Sequence, residues 1–234
     1  MAFISFMIAL FNVYMFYYLK HNKVAIENVA LSPKSFLNSG QYWRGITSSF
    51  SHYELYHIIS NVISTLSIGS LEDCIGSITF LKYITLLVVL GPILFSFICK
   101  KYFPSKNILL VGYSLVLCGL STYSTLLFSD SMFSLRPFVE VLLMKIIRPS
   151  SSVIAHLSGV FIGFALRWHL FDWYLNPLFI ITLPFIVFFY LDSYCQSHED
   201  SLEWFQNLKE EIKEKYIDTD ELIDTIKRNI CSVL

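Results

Sequence analysis

The sequence predicts an all-α protein, a polytopic bundle of membrane-spanning helices, and three observations predict it. Hydrophobic residues make up 55% of the chain and its mean hydropathy is +0.57, well above what a soluble globular domain carries. They fall in runs of crossing length, since a hydrocarbon core about 30 Å thick takes about 20 residues of helix. Charge gathers between those runs, yet one of them carries His57 and Asn61 four residues apart, on one helix face. A polar side chain left unpaired in hydrocarbon costs roughly 2 to 7 kcal/mol, so these two need partners or work.

The first run, 2–19, has neither a basic leader nor a small-residue cleavage site and reads as a retained span rather than a signal peptide. A polar stretch from Lys20 to about His52 follows. It holds the aromatic–basic cluster Tyr42-Trp43-Arg44, of the kind found at membrane interfaces, and is expected on the surface with Arg44 tying down the loop. The second span is 53–70, ending at Glu72-Asp73. The third is 78–99, closed by Lys100-Lys101, with a possible kink at Gly91-Pro92. The fourth, 108–128, carries Gly112, Ser114, Gly119, Ser121 and Thr122, small residues that let neighbours approach closely. The fifth, 132–147, is short and bears Arg136, Glu140 and Lys145, each costing about 2.5 to 3.5 kcal/mol near a helix centre. Arg136 and Glu140 are spaced to pair and Lys145 to snorkel, so the segment is expected to cross. The sixth, 152–171, shows a small-xxx-small face at Gly159 and Gly163.

A further apolar run, 175–191, contains two prolines and either spans as a seventh helix or lies re-entrant. Beyond Asp192 the chain turns polar, with apolar residues at helical spacing (Leu202, Phe205, Leu208, Ile212, then Leu222, Ile223, Ile226, Ile230) and a break near 218–220. That is a solvated amphipathic tail, or a docking site for a partner protein. The domain plan is therefore a transmembrane core over 1–171, an additional hydrophobic segment over 172–192 and an amphipathic helical tail over 193–234.

A net charge of −1 suggests no nucleic-acid partner. Five dispersed cysteines with no CxxC pair read as small apolar residues and leave the redox compartment open. No metal is expected, because His52 and His57 splay on a helix and no HExxH occurs, and no cofactor is called for.

Alternating helix direction puts the starts of the second, fourth and sixth spans on one side of the bilayer. His57 is about four residues into the second, Ser114 about six into the fourth and His156 about four into the sixth, all roughly 6 to 9 Å deep at 1.5 Å per residue. Three polar residues at one depth define a site. A serine hydroxyl becomes a nucleophile when an imidazole takes its proton, and the oxyanion that forms needs donors. Ser114 would attack, His156 would serve as base and then acid, and His57 and Asn61 would face the oxyanion. Gly112 permits a close approach by substrate or a tight helix start. No carboxylate is placed to orient His156, so the pair is a dyad. Each residue alone also has a structural reading: serines in membrane helices bond back to a carbonyl one turn earlier, and His57 and Asn61 can bridge helices.

On these residues the chain resembles the rhomboid family of intramembrane serine proteases. The resemblance is carried by Trp43-Arg44, by HxxxxHxxxN at His52, His57 and Asn61, by Glu72 closing the second span, by GxS at Gly112 and Ser114, and by HxxGxxxG at His156, Gly159 and Gly163. The segment from 139 to 163 is similar in layout to the endoplasmic-reticulum branch of eukaryotic rhomboids. The resemblance implies a six-helix core with a water-accessible cavity, a Ser114–His156 dyad, an oxyanion hole at His57 and Asn61, and transmembrane protein substrates cut where they unwind in the lipid bilayer. It implies the endoplasmic reticulum or another secretory-pathway membrane. Leu115 stands where many members have a small residue, and either narrows the cavity or faces lipid. The loop lysines and arginines favour a cytosolic site, whereas the resemblance implies a luminal or extracellular one, the reading preferred here. A catalytically inactive relative that binds membrane clients for quality control is the alternative.

Overall fold

Backbone groups inside a bilayer have no water to turn to, and the chain answers with helices almost throughout the computed structural model, which describes residues 2–105, 108–172 and 179–196. In order they are α1 (Phe3–His21), α2 (Ile26–Val29), a π-helical turn (Lys34–Asn38), α3 (Arg44–Phe50), α4 (Leu55–Ser67), α5 (Gly69–Ile75), α6 (Ser77–Tyr102), α7 (Ser114–Phe128), α8 (Arg136–Ile147), α9 (Val153–Arg167) and α10 (Phe179–Gln196). The residues form two units, Met1–Phe185 and Ile186–Leu234, and the boundary falls within α10. The additional hydrophobic segment is thus helical where described. The amphipathic tail lies outside the described residues.

Among the described residues three segments, α1, α4 with α5, and α6, are long and apolar enough to cross a membrane. The later ones are shorter than the sequence suggests: α7, α8 and α9 have 15, 12 and 15 residues, roughly 22, 18 and 22 Å. The first two have a local cause. The fourth segment opens with a non-helical stretch, 108–113, before α7 starts. In the fifth, the chain leaves α7 through a turn at 129–135, and α8 stops at Arg148 because a residue before proline is pushed out of helical conformation.

The fifth segment nonetheless returns the chain to the side it left. Arg167 and Trp168, at the end of α9, donate to the carbonyls of Ser131 and Met132, ahead of α8. At the other end Lys145 Nζ donates to Ser151 O, ahead of α9. So α8 runs antiparallel to α9, and α7 and α9 begin on the same side. The Arg136–Glu140 pair forms at 2.9 Å, and Glu140 also accepts from Ser121 Oγ of α7. Large apolar side chains face outward on α1, α4, α6, α8 and α9, among them Phe6, Ile63, Phe97, Leu142 and Phe161, as a lipid-facing surface requires.

Helix α7 forms the centre. Nine of its side chains or glycines are buried, from Leu115 to Leu126. It lies tight against α9 because Gly119, Gly159 and Gly163 leave no side chain between the backbones: a Cβ on Gly159 would enter the carbonyl oxygen of Leu115, and one on Gly163 that of Gly119.

The second span is not one straight helix closed by acidic residues. It breaks at Ile68, continues to Ile75, and carries Glu72 inward, 1% exposed. The carboxylate accepts from Ile4 N–H (2.9 Å), Ser5 N–H (2.8 Å), Ser5 Oγ (2.8 Å) and Ser77 Oγ (2.6 Å). The first turn of any helix has amide groups without partners, and Glu72 supplies acceptors and negative charge to that of α1.

Nor does the stretch after α1 lie passively on the surface. Ala30, Leu31, Phe36 and Trp43 are buried, and Arg44 donates to the carbonyls of Glu27 (2.6 Å) and Ala30 (2.8 Å) while stacking its guanidinium 4.6 Å from the Trp43 ring. Arg44 thus ties the loop layer together, as expected from the sequence.

Two substitutions test this packing. Glu72→Ala leaves buried donors without an acceptor, each worth about 1 to 3 kcal/mol, and is expected to lower thermal stability in detergent by at least about 3 kcal/mol, read by unfolding of the purified protein. Gly159→Ala is expected to cost about 1 to 3 kcal/mol by overpacking, read as a lowered thermal midpoint of the purified protein in detergent.

Candidate active site

The amides of Leu110, Gly112 and Tyr113 have no helical acceptor, and the loop layer supplies their partners. Leu110 exchanges both backbone hydrogen bonds with Leu31, Gly112 N–H donates to Ser48 O at 2.7 Å, and Tyr113 N–H donates to His52 Nε2 at 3.4 Å. Gly112 has φ +107°, a left-handed region open to glycine, and the imidazole of His57 occupies the space where a Cβ would stand. What approaches Gly112 closely in this structure is the His57 ring.

This lead-in delivers Ser114 as the first residue of α7, not six residues inside a helix. Its Oγ lies 3.0 Å from His156 Nε2, the fourth residue of α9. His57 is the third residue of α4, 4% exposed, with its Nε2 unpartnered among the described residues. Asn61 stands one turn on. Its Nδ2 donates to His57 O at 2.8 Å, which leaves a second amide hydrogen, and its Oδ1 has no partner among the described residues. His57, Asn61, Ser114 and His156 line one cavity of about 150 Å³. The amides of the first turn of α7 have no intrahelical acceptor, so the N-terminal end of that helix presents N–H groups beside Ser114.

A larger crevice of about 780 Å³ adjoins this cavity, sharing Ser64, Leu117 and Met144 with it and lined further by residues such as Ser121, Arg136 and Glu140. It holds neither Ser114 nor His156. Of its polar groups, Ser121, Glu140 and Arg136 are bonded to one another.

The other motif residues sit behind the cavity. His52 is fully buried and packs edge-on against His57 with ring centroids 4.9 Å apart. Burial holds the His52 imidazole down at about 4, aided by the nearby Arg148 charge, so at neutral pH it is uncharged and its Nε2 can accept from Tyr113. Trp43, Arg44, Glu72, Gly159 and Gly163 hold loop and helices, as described above, and do not line the cavity. Leu115 neither narrows the cavity nor faces lipid. It is 3% exposed and lies over Gly91 of α6, filling the place of a Cβ. Sequence reasoning overlooked Arg148 and Ser151, which also line the cavity. The signal for Arg148 was present in the Arg-Pro dipeptide that ends α8.

A helical membrane bundle with a histidine and a serine in contact inside a cavity at helix-start depth is the class that fold and site define. The Rhomboid domain model matches residues 39–173, which hold every one of those site residues, and the chain belongs to the rhomboid family. It is also similar to Rhomboid-like protein 15 of Arabidopsis thaliana, at 24% identity over 163 residues, covering 62% of this chain and 40% of that relative. The chain thus matches well under half the length of that relative.

The low His52 value sets a direction for stability with pH. The unfolded imidazole takes a proton near pH 6.5 and the folded one only near 4, so the unfolded state binds more protons between those values. The His52 contribution to stability is fully present above about pH 6.5 and is lost as pH drops toward 4. Melting of the purified protein should show this fall, and His52→Gln, which keeps an acceptor and cannot titrate, should reduce it.

Proposed function

We propose that this protein is an intramembrane serine endopeptidase, hydrolysing peptide bonds in or near the transmembrane segments of membrane-protein substrates in an endoplasmic-reticulum or other secretory-pathway membrane. The observation that carries the reading is the 3.0 Å contact of Ser114 Oγ with His156 Nε2 in a cavity where a buried His57 nitrogen has no partner among the described residues.

With the proton on His156 Nδ1, Nε2 is free to take the Ser114 proton as Oγ bonds to the scissile carbonyl carbon. The carbonyl oxygen becomes an oxyanion. His57 Nε2–H, the spare Asn61 amide hydrogen and the first-turn amides of α7 are the donors available to it. His156 then gives its proton to the leaving amine as the C–N bond breaks, and the same steps with water release the acyl product. A peptide bond held in a helix is shielded by its own hydrogen bonding, so a substrate must unwind to reach a cavity of about 150 Å³. Substrates with helix-weakening residues near the cut fit that requirement.

Purified full-length protein in detergent, offered transmembrane reporters, tests the reading. Wild type should cleave and should react with a fluorophosphonate, and Ser114→Ala and His156→Ala should do neither. His57→Ala should lower kcat about 100- to 1,000-fold, the loss typical for one oxyanion donor. No labelling and no cleavage by wild type would favour a silent client-binding protein.

A further inference from the structure

Two buried polar atoms in the cavity have no part in the hydrolysis just derived. Arg148 Nε and Ser151 Oγ both lack a hydrogen-bond partner among the described residues, and both side chains line the cavity with Ser114 and His156. Their placement is built. Arg148 leaves α8 in an extended conformation (φ −130°, ψ 87°) because Pro149 follows it. The turn beyond is held by Lys145, whose ammonium donates to the carbonyls of Pro149 and Ser151, and by Ser151 N–H donating to Arg148 O at 2.9 Å.

The guanidinium is only half used. One terminal nitrogen meets Glu54 at 3.1 Å, and that carboxylate sits at the N-cap of α4, 58% exposed against 22% for Arg148. The inner Nε meets no acceptor among the described residues. A guanidinium presents its donors as a fork that a carboxylate accepts two at a time. That buried donor already goes without a hydrogen bond, and a substrate acceptor that reaches it supplies one. An incoming carboxylate meets that need, and it competes with the rim carboxylate of Glu54.

We propose that Arg148, with Ser151 beside it, determines specificity by receiving the side-chain carboxylate of an aspartate or glutamate next to the substrate's scissile bond. The proposal deepens the protease reading and is tested by binding, so that the two can fail separately. In full-length Ser114→Ala protein in detergent, fluorescence anisotropy compares transmembrane peptides carrying one scanned Asp with the matched Asn peptides. At one or two adjacent positions Asp should bind about tenfold more tightly, the scale of one hydrogen bond to a charged group. Arg148→Gln should bring that ratio close to one, and Arg148→Glu should favour Lys peptides. Glu54→Gln, at the rim, should raise the ratio by removing the competitor. The proposal is overturned if no position favours Asp by more than twofold, if the preference survives Arg148→Gln, or if Glu54→Gln does not raise it. Cleavage of the same peptides by the protein with Ser114 intact reports on the dyad alone: Asp-selective binding without any cleavage overturns the protease reading and supports the carboxylate site.

Discussion

The backbone of Leu110 to Tyr113 is the constraint on which the rest depends. These residues are non-helical and largely buried within a membrane bundle, where each amide or carbonyl without a partner carries a penalty of several kcal/mol. Leu31, Ser48 and His52 provide the partners, and all three belong to the loop layer between α1 and α4. That layer is therefore not a cover for the helices. It is the scaffold that lets a helix begin at depth, and a helix that begins at depth offers both a reactive side chain and unpaired amides at its first turn.

Distance across the site is set by the absence of side chains. Gly119, Gly159 and Gly163 bring the backbones of α7 and α9 together, and Gly112 brings the lead-in against His57. A methyl group at any of these places would separate groups that now touch, because a packed interior has no slack to absorb it. Glu72 acts at longer range, fixing the start of α1 against α5 through charge-assisted hydrogen bonds that are strong where water is excluded.

Much of the arrangement was legible in the residues. Placing Ser114, His57 and His156 at one depth required only the rise of a helix and alternating direction, and the structure does bring Ser114 and His156 together. Ser114 nevertheless opens its helix after a non-helical approach instead of lying inside one. Glu72 was read as a boundary because acidic residues usually stop a span. Its role as a cap for a helix some 67 residues earlier in the chain is a long-range contact that no local pattern displays. Arg148 was passed over for a similar reason: a basic residue at the end of a span normally points to water, and here a proline turns it inward.

The membrane class, the approximate helices, the glycine face of α9 and the candidate residues Ser114, His156, His57 and Asn61 could be read before folding, because hydrophobicity, length and side-chain type are written along the chain. Tertiary structure alone decided which backbone donors meet which acceptors, and so where α7 begins, what Glu72 and His52 hold, and which way Leu115 and Arg148 face. Those outcomes turn on hydrogen bonds between segments tens of residues apart. Their energies exist only once the helices have packed and water has been excluded.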